Sequence, residues 1–159
     1  MRVKATTTLF KSELWAARKK QGAECYNWFI FFLEAHRSQR AWWHVFCREG
    51  FGHILSLRYN PENDRWIKLD WNGYCLDAGI VTDAEVELIF GQLYVGGAHC
   101  VKFRPRWRKT CIARSILLYC VSATKHLLGV TSWAVTPYQL YCYLLANGGT
   151  EVFPAGKTE

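Results

Sequence analysis

The sequence lacks the apolar segments that mark membrane and secreted proteins. A strongly apolar run such as residues 28–33 is far shorter than the roughly 20 residues that a membrane-spanning helix needs. The opening MRVKATTTLFKSELW has no long apolar core followed by a small-residue cleavage site, so we expect no secretory signal peptide. Internal repeats and low-complexity segments are also missing. The remaining pattern, 159 residues of which 50% are hydrophobic, predicts a single packed domain over residues 1–159.

Cysteine pairs with metal-binding spacing are absent from the sequence as well. The seven cysteines are an odd number, and no Cys-x-x-Cys pair occurs, which argues against a zinc ribbon and a thioredoxin-like site. The five histidines show no ligand spacing with them on any one predicted element. We therefore predict no metal site and no cofactor, and an intracellular protein whose thiols are reduced and mostly buried.

Positive charge is in excess, since 20 Lys and Arg against 13 Asp and Glu give a formal net charge of +7. Part of the excess lies in KFRPRWRK, residues 102–109, where cations are interleaved with aromatic rings. Such a run can bind phosphates and stack on bases, although no recognised nucleic-acid-binding motif accompanies it. A solvated basic loop and a protein-docking edge are the alternatives. The residues of this nucleic-acid or docking patch are Arg104, Arg106, Trp107, Arg108 and Lys109.

Strand patterns cluster in the middle of the chain. In GHILSLRYNPENDRWIKLDW two apolar runs flank a turn rich in Asn, Pro and Asp, which predicts a hairpin over residues 53–71. Further strands are predicted near residues 74–81 and 98–103. These strands predict a small central antiparallel sheet.

Helix signals surround the predicted strands. Continuous apolar and aromatic content predicts a buried helix over residues 24–37. Thr82, with Glu85 three residues later, forms a capping-box pattern that opens another helix. A short helix is predicted over residues 120–128, and a last one begins at the Thr136 cap, which a proline follows. The combination predicts an α+β fold in which the sheet packs against helices.

Cys120 is the leading candidate for a catalytic nucleophile. A reactive thiol needs a lowered pKa, a nearby base and donors for an oxyanion, and the first turn of a helix supplies partial positive charge and unpaired N–H groups. Cys120 lies at the start of a predicted helix. His53, at the start of a predicted strand beside Gly52, is the candidate base.

Asp70 is the predicted partner that would orient His53. If the hairpin is centred between Pro61 and Asn63, cross-strand positions sum to about 124, which places His53 opposite position 71 and makes Asp70 the nearest acid. Adjacent strand positions face opposite sides of a sheet. One residue of register therefore decides whether the two side chains share a face.

Cys25 is a rival nucleophile. It begins the predicted helix over residues 24–37 and precedes His53, which gives the order Cys–His–Asp. The interval between Cys25 and His53 is short for the helix, loop and strand that would have to fit within it. We favour Cys120 and keep Cys25 as the alternative.

The segments FGHILSLRYN, RWIKLDW and YCVSATKHLLG resemble papain-like cysteine hydrolases in their circularly permuted form, the relatives of NlpC-type peptidases and of lecithin–retinol acyltransferase. The resemblance implies a permuted papain-like fold with Cys120 as nucleophile, His53 as general base and Asp70 as orienting residue. It implies hydrolysis or transfer of an acyl group at an amide bond, in a peptide or a cell-wall cross-link, through a thioester. Tyr119 departs from the family, which usually has Asn or Asp before the cysteine.

Residues 120–145 also look like the C-terminal part of small proteins of tailed bacteriophages. This second resemblance implies a virion-associated protein, located in the virion or in the cytoplasm of the infected host. The partners would be other virion or assembly proteins, with a peptide or peptidoglycan substrate if the site is active.

Two functions are therefore expected from the sequence. The first is a thiol hydrolase, and the second is a non-catalytic virion, tail or assembly protein that uses the same fold for protein–protein contacts. Tryptophans outside the clearest strands favour protein contact as well as core packing. They are Trp42, Trp43, Trp107 and Trp133.

Overall fold

The computed structural model describes residues 26–34, 47–71, 75–105 and 119–153, and these ranges contain six strands and three helices. The strands are Trp28–Leu33 (β1), His53–Asn60 (β2), Arg65–Trp71 (β3), Leu76–Val81 (β4), His99–Phe103 (β5) and Thr150–Phe153 (β6). The helices are Asp83–Val95 (α1), Cys120–Leu128 (α2) and Pro137–Ala146 (α3). The predicted α+β class is confirmed, with a larger sheet than expected.

The six strands form one antiparallel sheet in the order β4–β3–β2–β1–β5–β6. One face, which we call the two-helix face, carries Ile30 and Ile54 in a core shared with α2 and α3. The other, the one-helix face, carries Phe31 and Leu57 in a core shared with α1. Each side chain of the central strands therefore enters one of two separate cores according to its position along the strand.

Residues 28–33 form the strand β1, so the helix predicted over residues 24–37 is wrong for this stretch. β1 lies between β2 and β5, and apolar cores cover both of its faces. A strand buried on both faces needs a continuous apolar run, which periodicity alone does not distinguish from a buried helix. Because this run consists almost entirely of aromatic and branched side chains, the strand is the better fit.

The predicted hairpin forms between β2 and β3, but its register differs by one residue from the predicted one. The predicted pairing places Ile54 opposite Asp70, whereas Leu55 lies opposite Asp70 in the structure. The turn contains four residues, 61–64, and Asp64 adopts a φ of 51°, in the left-handed region that Asp tolerates. Asp70 therefore shares the one-helix face with Leu55 and with His53, two positions earlier on β2.

The other three predicted helices form at the predicted caps and stops. At the start of α1, the Glu85 N–H donates to Thr82 Oγ1 at 3.4 Å and the Thr82 N–H donates to Glu85 Oε2 at 2.7 Å. α2 ends at Gly129, which adopts a φ of 63°. Thr136 caps α3 by accepting the Gln139 N–H at 3.2 Å.

The strand β6 lies outside the predicted elements. It pairs with β5, and Val101 lies opposite Glu151. With four residues it is too short for a clear alternation of apolar and polar positions. None of the helices in the described ranges has the length and apolar content needed to cross a bilayer.

Candidate functional site

His53 and Asp70 form a close pair on the one-helix face. His53 Nε2 donates to Asp70 Oδ1 at 2.6 Å, so Nδ1 is the ring nitrogen that stays available. The pair exists because the observed register, one residue from the predicted one, puts both side chains on the same face. Both side chains are mostly buried, with exposures of 15% and 28%.

A row of charges continues from this pair towards the sheet edge. Lys68 Nζ lies 3.8 Å from Asp70 Oδ2 and donates to Asp77 Oδ2 at 3.4 Å. Burial disfavours the charged form of Asp70, but the hydrogen bond from His53, with the charges of His53 and Lys68, outweighs it and lowers the pKa of Asp70. The row links β2, β3 and β4 through their side chains.

Cys120 is the first residue of α2, as predicted. Its N-cap residue, Tyr119, makes no side-chain hydrogen bond that caps the helix, and Ser122 Oγ instead accepts the Tyr119 N–H at 2.9 Å. Burial raises the pKa of the Cys120 thiol to about 12, although hydrogen bonds from the amides of Val121 and Ile54 favour the thiolate. Within this structure the thiol is therefore neutral at physiological pH.

Cys120 and His53 lie on different sides of the sheet. Cys120 packs against the core of the two-helix face, and its sulfur contacts the amide of Ile54, the residue after His53. The His53 side chain lies on the one-helix face with Asp70. Among the described residues, no hydrogen bond joins Cys120 to His53. The structure thus brings His53 and Asp70 together. Cys120 lies against the same strand, β2, but on its other face.

The structure describes only part of the other predicted sites. Arg104, the first member of the basic patch, is exposed just after β5. Outside the described residues lie the rest of that patch, the rival nucleophile and two further tryptophans, namely Arg106, Trp107, Arg108, Lys109, Cys25, Trp42 and Trp43. Within the described ranges, His, Cys, Asp and Glu side chains form no group of three or more that could hold a metal ion.

A second histidine cluster, which the sequence did not indicate, lies on the two-helix face. His99 Nδ1 is 3.4 Å from Glu151 Oε1, and Tyr141 Oη donates to the same oxygen at 2.6 Å. The Phe51 ring stacks on His99 with centroids 4.7 Å apart. Burial and the bond to Glu151 raise the pKa of Tyr141. Because the cluster joins β5, β6 and α3, it could not be predicted without knowledge of β6.

The segment between α2 and α3 presents an exposed tryptophan. Trp133 is 99% exposed, and Val135 beside it is 62% exposed. The residues on either side of Trp133 are less exposed, and Ala134 is buried. The sequence indicated Trp133 as a contact residue. It did not indicate that hydrogen bonds hold the backbone on both sides of this residue.

No protein-family model, curated protein or solved structure matches the chain.

Proposed function

We propose that this protein is a non-catalytic structural or assembly component, which binds a partner protein through a surface centred on Trp133. The 99% exposure of that side chain is the observation that carries the proposal. Tryptophan has the largest apolar surface to gain from burial, and it is enriched among the residues that dominate binding energy. A partner with an apolar pocket would bury it.

Hydrogen bonds hold the backbone on both sides of Trp133. Lys125 Nζ donates to the carbonyl oxygen of Ser132 at 2.6 Å and to that of Ala134 at 3.2 Å. Partial burial of the amine at this position lowers the pKa of Lys125. A side chain on a backbone already held in place loses less conformational entropy when it binds.

Further hydrogen bonds hold Val135, two residues after Trp133, in place. Tyr119 Oη donates to the carbonyl oxygen of Val135 at 3.1 Å, and the Val135 N–H donates to Gln139 Oε1 at 2.9 Å. The exposed apolar pair Trp133 and Val135 is therefore presented from a segment bonded to both α2 and α3. This arrangement suits a rigid anchor better than a mobile loop.

The state of Cys120 supports a non-catalytic role. A nucleophilic cysteine needs a thiolate, which a lowered pKa and a histidine in contact provide. Burial instead raises the pKa of Cys120 to about 12, and the histidine predicted to activate it bonds Asp70 on the other face. The thiol then serves the core as a small apolar group.

Trp133→Ala tests the proposed binding surface. Immobilised wild-type protein should retain partner proteins from an extract of the cells that produce it, and Trp133→Ala should lose them. Cys120→Ala should retain them if the thiol has no part in binding. The matched control is Ile80→Ala, another exposed apolar residue, in the edge strand β4. Equal retention by wild type and Trp133→Ala would contradict the proposal.

A thiol hydrolase or acyltransferase is the second candidate, favoured by the His53–Asp70 pair. Asp70 bonds Nε2, which orients the imidazole and leaves Nδ1 as the nitrogen that would act as the base. With Cys120 at a helix start beside Ile54, this order of elements is consistent with the permuted papain-like fold that the resemblance implies. The substrate would be a peptide or a cell-wall cross-link.

Alkylation rates separate the two functions. If the protein is non-catalytic, iodoacetamide at neutral pH should label Cys120 more slowly than the exposed Cys75 and Cys142, because its thiol is neutral and buried. Site-resolved labelling by mass spectrometry measures this. Faster labelling of Cys120, lost in His53→Ala, would favour the hydrolase over the interaction module.

Under either function we keep the setting that the phage resemblance implies. The protein would lie in the virion or in the cytoplasm of the infected host, with other virion proteins as partners. Nucleic-acid binding through Arg104 and the basic run that follows it is a weaker proposal, since that run carries charge but no recognised motif.

A further inference from the structure

Helix α1 is apolar on two opposite sides. Its inner side packs into the core of the one-helix face, where Val86 and Phe90 are buried. Its outer side is also apolar, with Leu88 62% and Val95 79% exposed. A surface helix usually places polar residues on its outer side, and a helix apolar all round is normally covered on all sides.

The outer apolar positions follow the spacing of a helix–helix seam. The intervals between them are four, three and four residues, as for positions a and d of a heptad. Large and small residues alternate along the seam. These positions, all exposed, are Ala84, Leu88, Gly91 and Val95.

Gly91 lies in the middle of α1, at a position where the described neighbours do not require a glycine. A glycine in a helix interior costs about 1 kcal/mol relative to alanine. Among the residues that the structure describes, a Cβ added at Gly91 would meet nothing within 4 Å, so none of them demands the small residue. The close approach of a backbone or a large side chain from another molecule is a physical reason for a glycine there.

The seam is complementary to itself when two copies of α1 run antiparallel. In that arrangement Leu88 lies against the partner's Gly91 and Val95 against the partner's Ala84, so every large side chain meets a small one. A two-fold axis relates the two helices, as closed dimers require. Lateral packing at such a seam brings helix axes to about 8–10 Å when small residues line it.

The charges of α1 also favour the antiparallel arrangement. Its acids, Asp83, Glu85 and Glu87, all lie in the N-terminal half, and the stretch from Leu88 to Val95 has no charged residue. Parallel helices would set these acids against their own copies. Antiparallel helices set them beside the uncharged half of the partner and oppose the two helix dipoles.

We propose that the protein forms a reversible homodimer in which two copies of α1 pack antiparallel through this seam. Two helices of 13 residues bury less surface than the roughly 1,200 Å² of a standard stable interface. The dimer is therefore concentration-dependent. The inference is independent of the Trp133 surface, which lies on another part of the molecule.

Gly91→Leu tests the seam without weakening the helix. Leucine is a much better helix former than glycine, and the site has open space, so the variant should unfold at the same temperature as the wild type or higher. In sedimentation equilibrium the wild type should move from monomer towards dimer as concentration rises, and Gly91→Leu should dimerise at least tenfold more weakly. Leu88→Gln should do the same, and Trp133→Ala should dimerise as the wild type does. A wild type that stays monomeric up to roughly 1 mM, or a Gly91→Leu protein that dimerises equally well, would overturn the proposal.

Disulfide trapping tests the orientation. The double variant Leu88→Cys/Gly91→Cys should form a covalent dimer on mild oxidation, because the two positions face each other across the antiparallel seam. Wild type treated in the same way is the control for the native cysteines. Leu88→Cys alone should add little covalent dimer. If the single variant cross-links as well as the double one, the helices pack in parallel and the antiparallel proposal fails.

Discussion

The two faces of the sheet differ in the pKa of their polar side chains, which is raised for Cys120 on one face and lowered for Asp70 on the other. On the two-helix face, where α2 and α3 cover the sheet, burial keeps the Cys120 thiol neutral. On the one-helix face His53 donates to Asp70 Oδ1, and the charged row of Asp70, Lys68 and Asp77 runs from there to the sheet edge. The comparison teaches that a neighbouring partner separates the two groups: burial disfavours the charged form of both, but His53 and Lys68 lower the pKa of Asp70, whereas burial dominates at Cys120.

Removal of the main anchor of α1 should give the largest effect. Phe90 is fully buried, and its ring lies 4.6 Å from that of Phe31 between centroids. Because α1 is the helix that covers the one-helix face in the described part of the chain, Phe90→Ala should lower the free energy of unfolding by about 3–5 kcal/mol. Urea denaturation measures the loss. Gln92→Ala, at an exposed position of the same helix outside the seam, is the control and should change it by less than about 0.5 kcal/mol. A loss below 1 kcal/mol in Phe90→Ala would show that another segment covers this face.

Crowding at the two-helix face should give the next largest effect. A Cβ on Gly149 would lie 2.7 Å from the Leu144 carbonyl oxygen and 2.7 Å from Val101 Cγ1, at the junction of α3 with β6. Gly149→Ala should therefore cost about 1–3 kcal/mol of unfolding free energy, measured by thermal or urea unfolding.

Gly79→Ala is the matched control for this substitution. Gly79 lies in the edge strand β4, and an added Cβ there would meet nothing within 4 Å. Stability should stay the same or rise slightly, because alanine restricts the unfolded chain. Similar losses in both variants would mean that backbone strain, and not crowding at the helix junction, explains the effect.

The charged row should give a smaller effect that depends on pH. The lowered pKa of Asp70 means that its stabilising contribution is present above the usual carboxyl range near pH 4 and is lost as pH falls through the lowered pKa. Wild type should therefore lose more stability than Asp70→Asn between about pH 5 and pH 2, and the two curves should converge at the acid end. Urea midpoints across this range measure the difference. Asp77→Asn, an exposed member of the same row, should change the curve less. Parallel curves for wild type and Asp70→Asn would show that the pair with His53 contributes nothing.

The smallest effect is expected at the exposed anchor. Trp133 makes little contact with its own chain, so Trp133→Ala should change the melting temperature by less than about 2 °C. Differential scanning fluorimetry measures it. A large loss would show that Trp133 packs within the fold, which would remove the basis for its role in binding.

Local signals predicted most of the fold. The Thr82 and Glu85 capping box, the Gly129 stop and the Thr136 cap are contacts between residues close in sequence, and short-range rules describe them. β1 could not be predicted in the same way. Its identity as a strand depends on β2 and β5 lying on both sides, which is tertiary information.

Strand pairing within the hairpin made one part of the candidate site predictable from the sequence. The sequence predicted Asp70 as the neighbour of His53, and one residue of hairpin register put the two on a common face. The side of the sheet on which Cys120 packs depends on where α2 docks, and no local pattern encodes this. The charged extension through Lys68 to Asp77 depends in turn on the pairing of β3 with β4.

The position of β1 in the middle of the sheet has a consequence for folding. β2, β3 and β4 pair with their neighbours in sequence, so they can form as a local meander. The pairing of β1 with β5, which sets Trp28 opposite Phe103, closes a much longer loop. Such pairings cost loop entropy before they contribute contacts, and they slow folding. β1 therefore pairs with β5 only late in folding. Until then its apolar side chains and one strand edge stay exposed, and they can take part in aggregation.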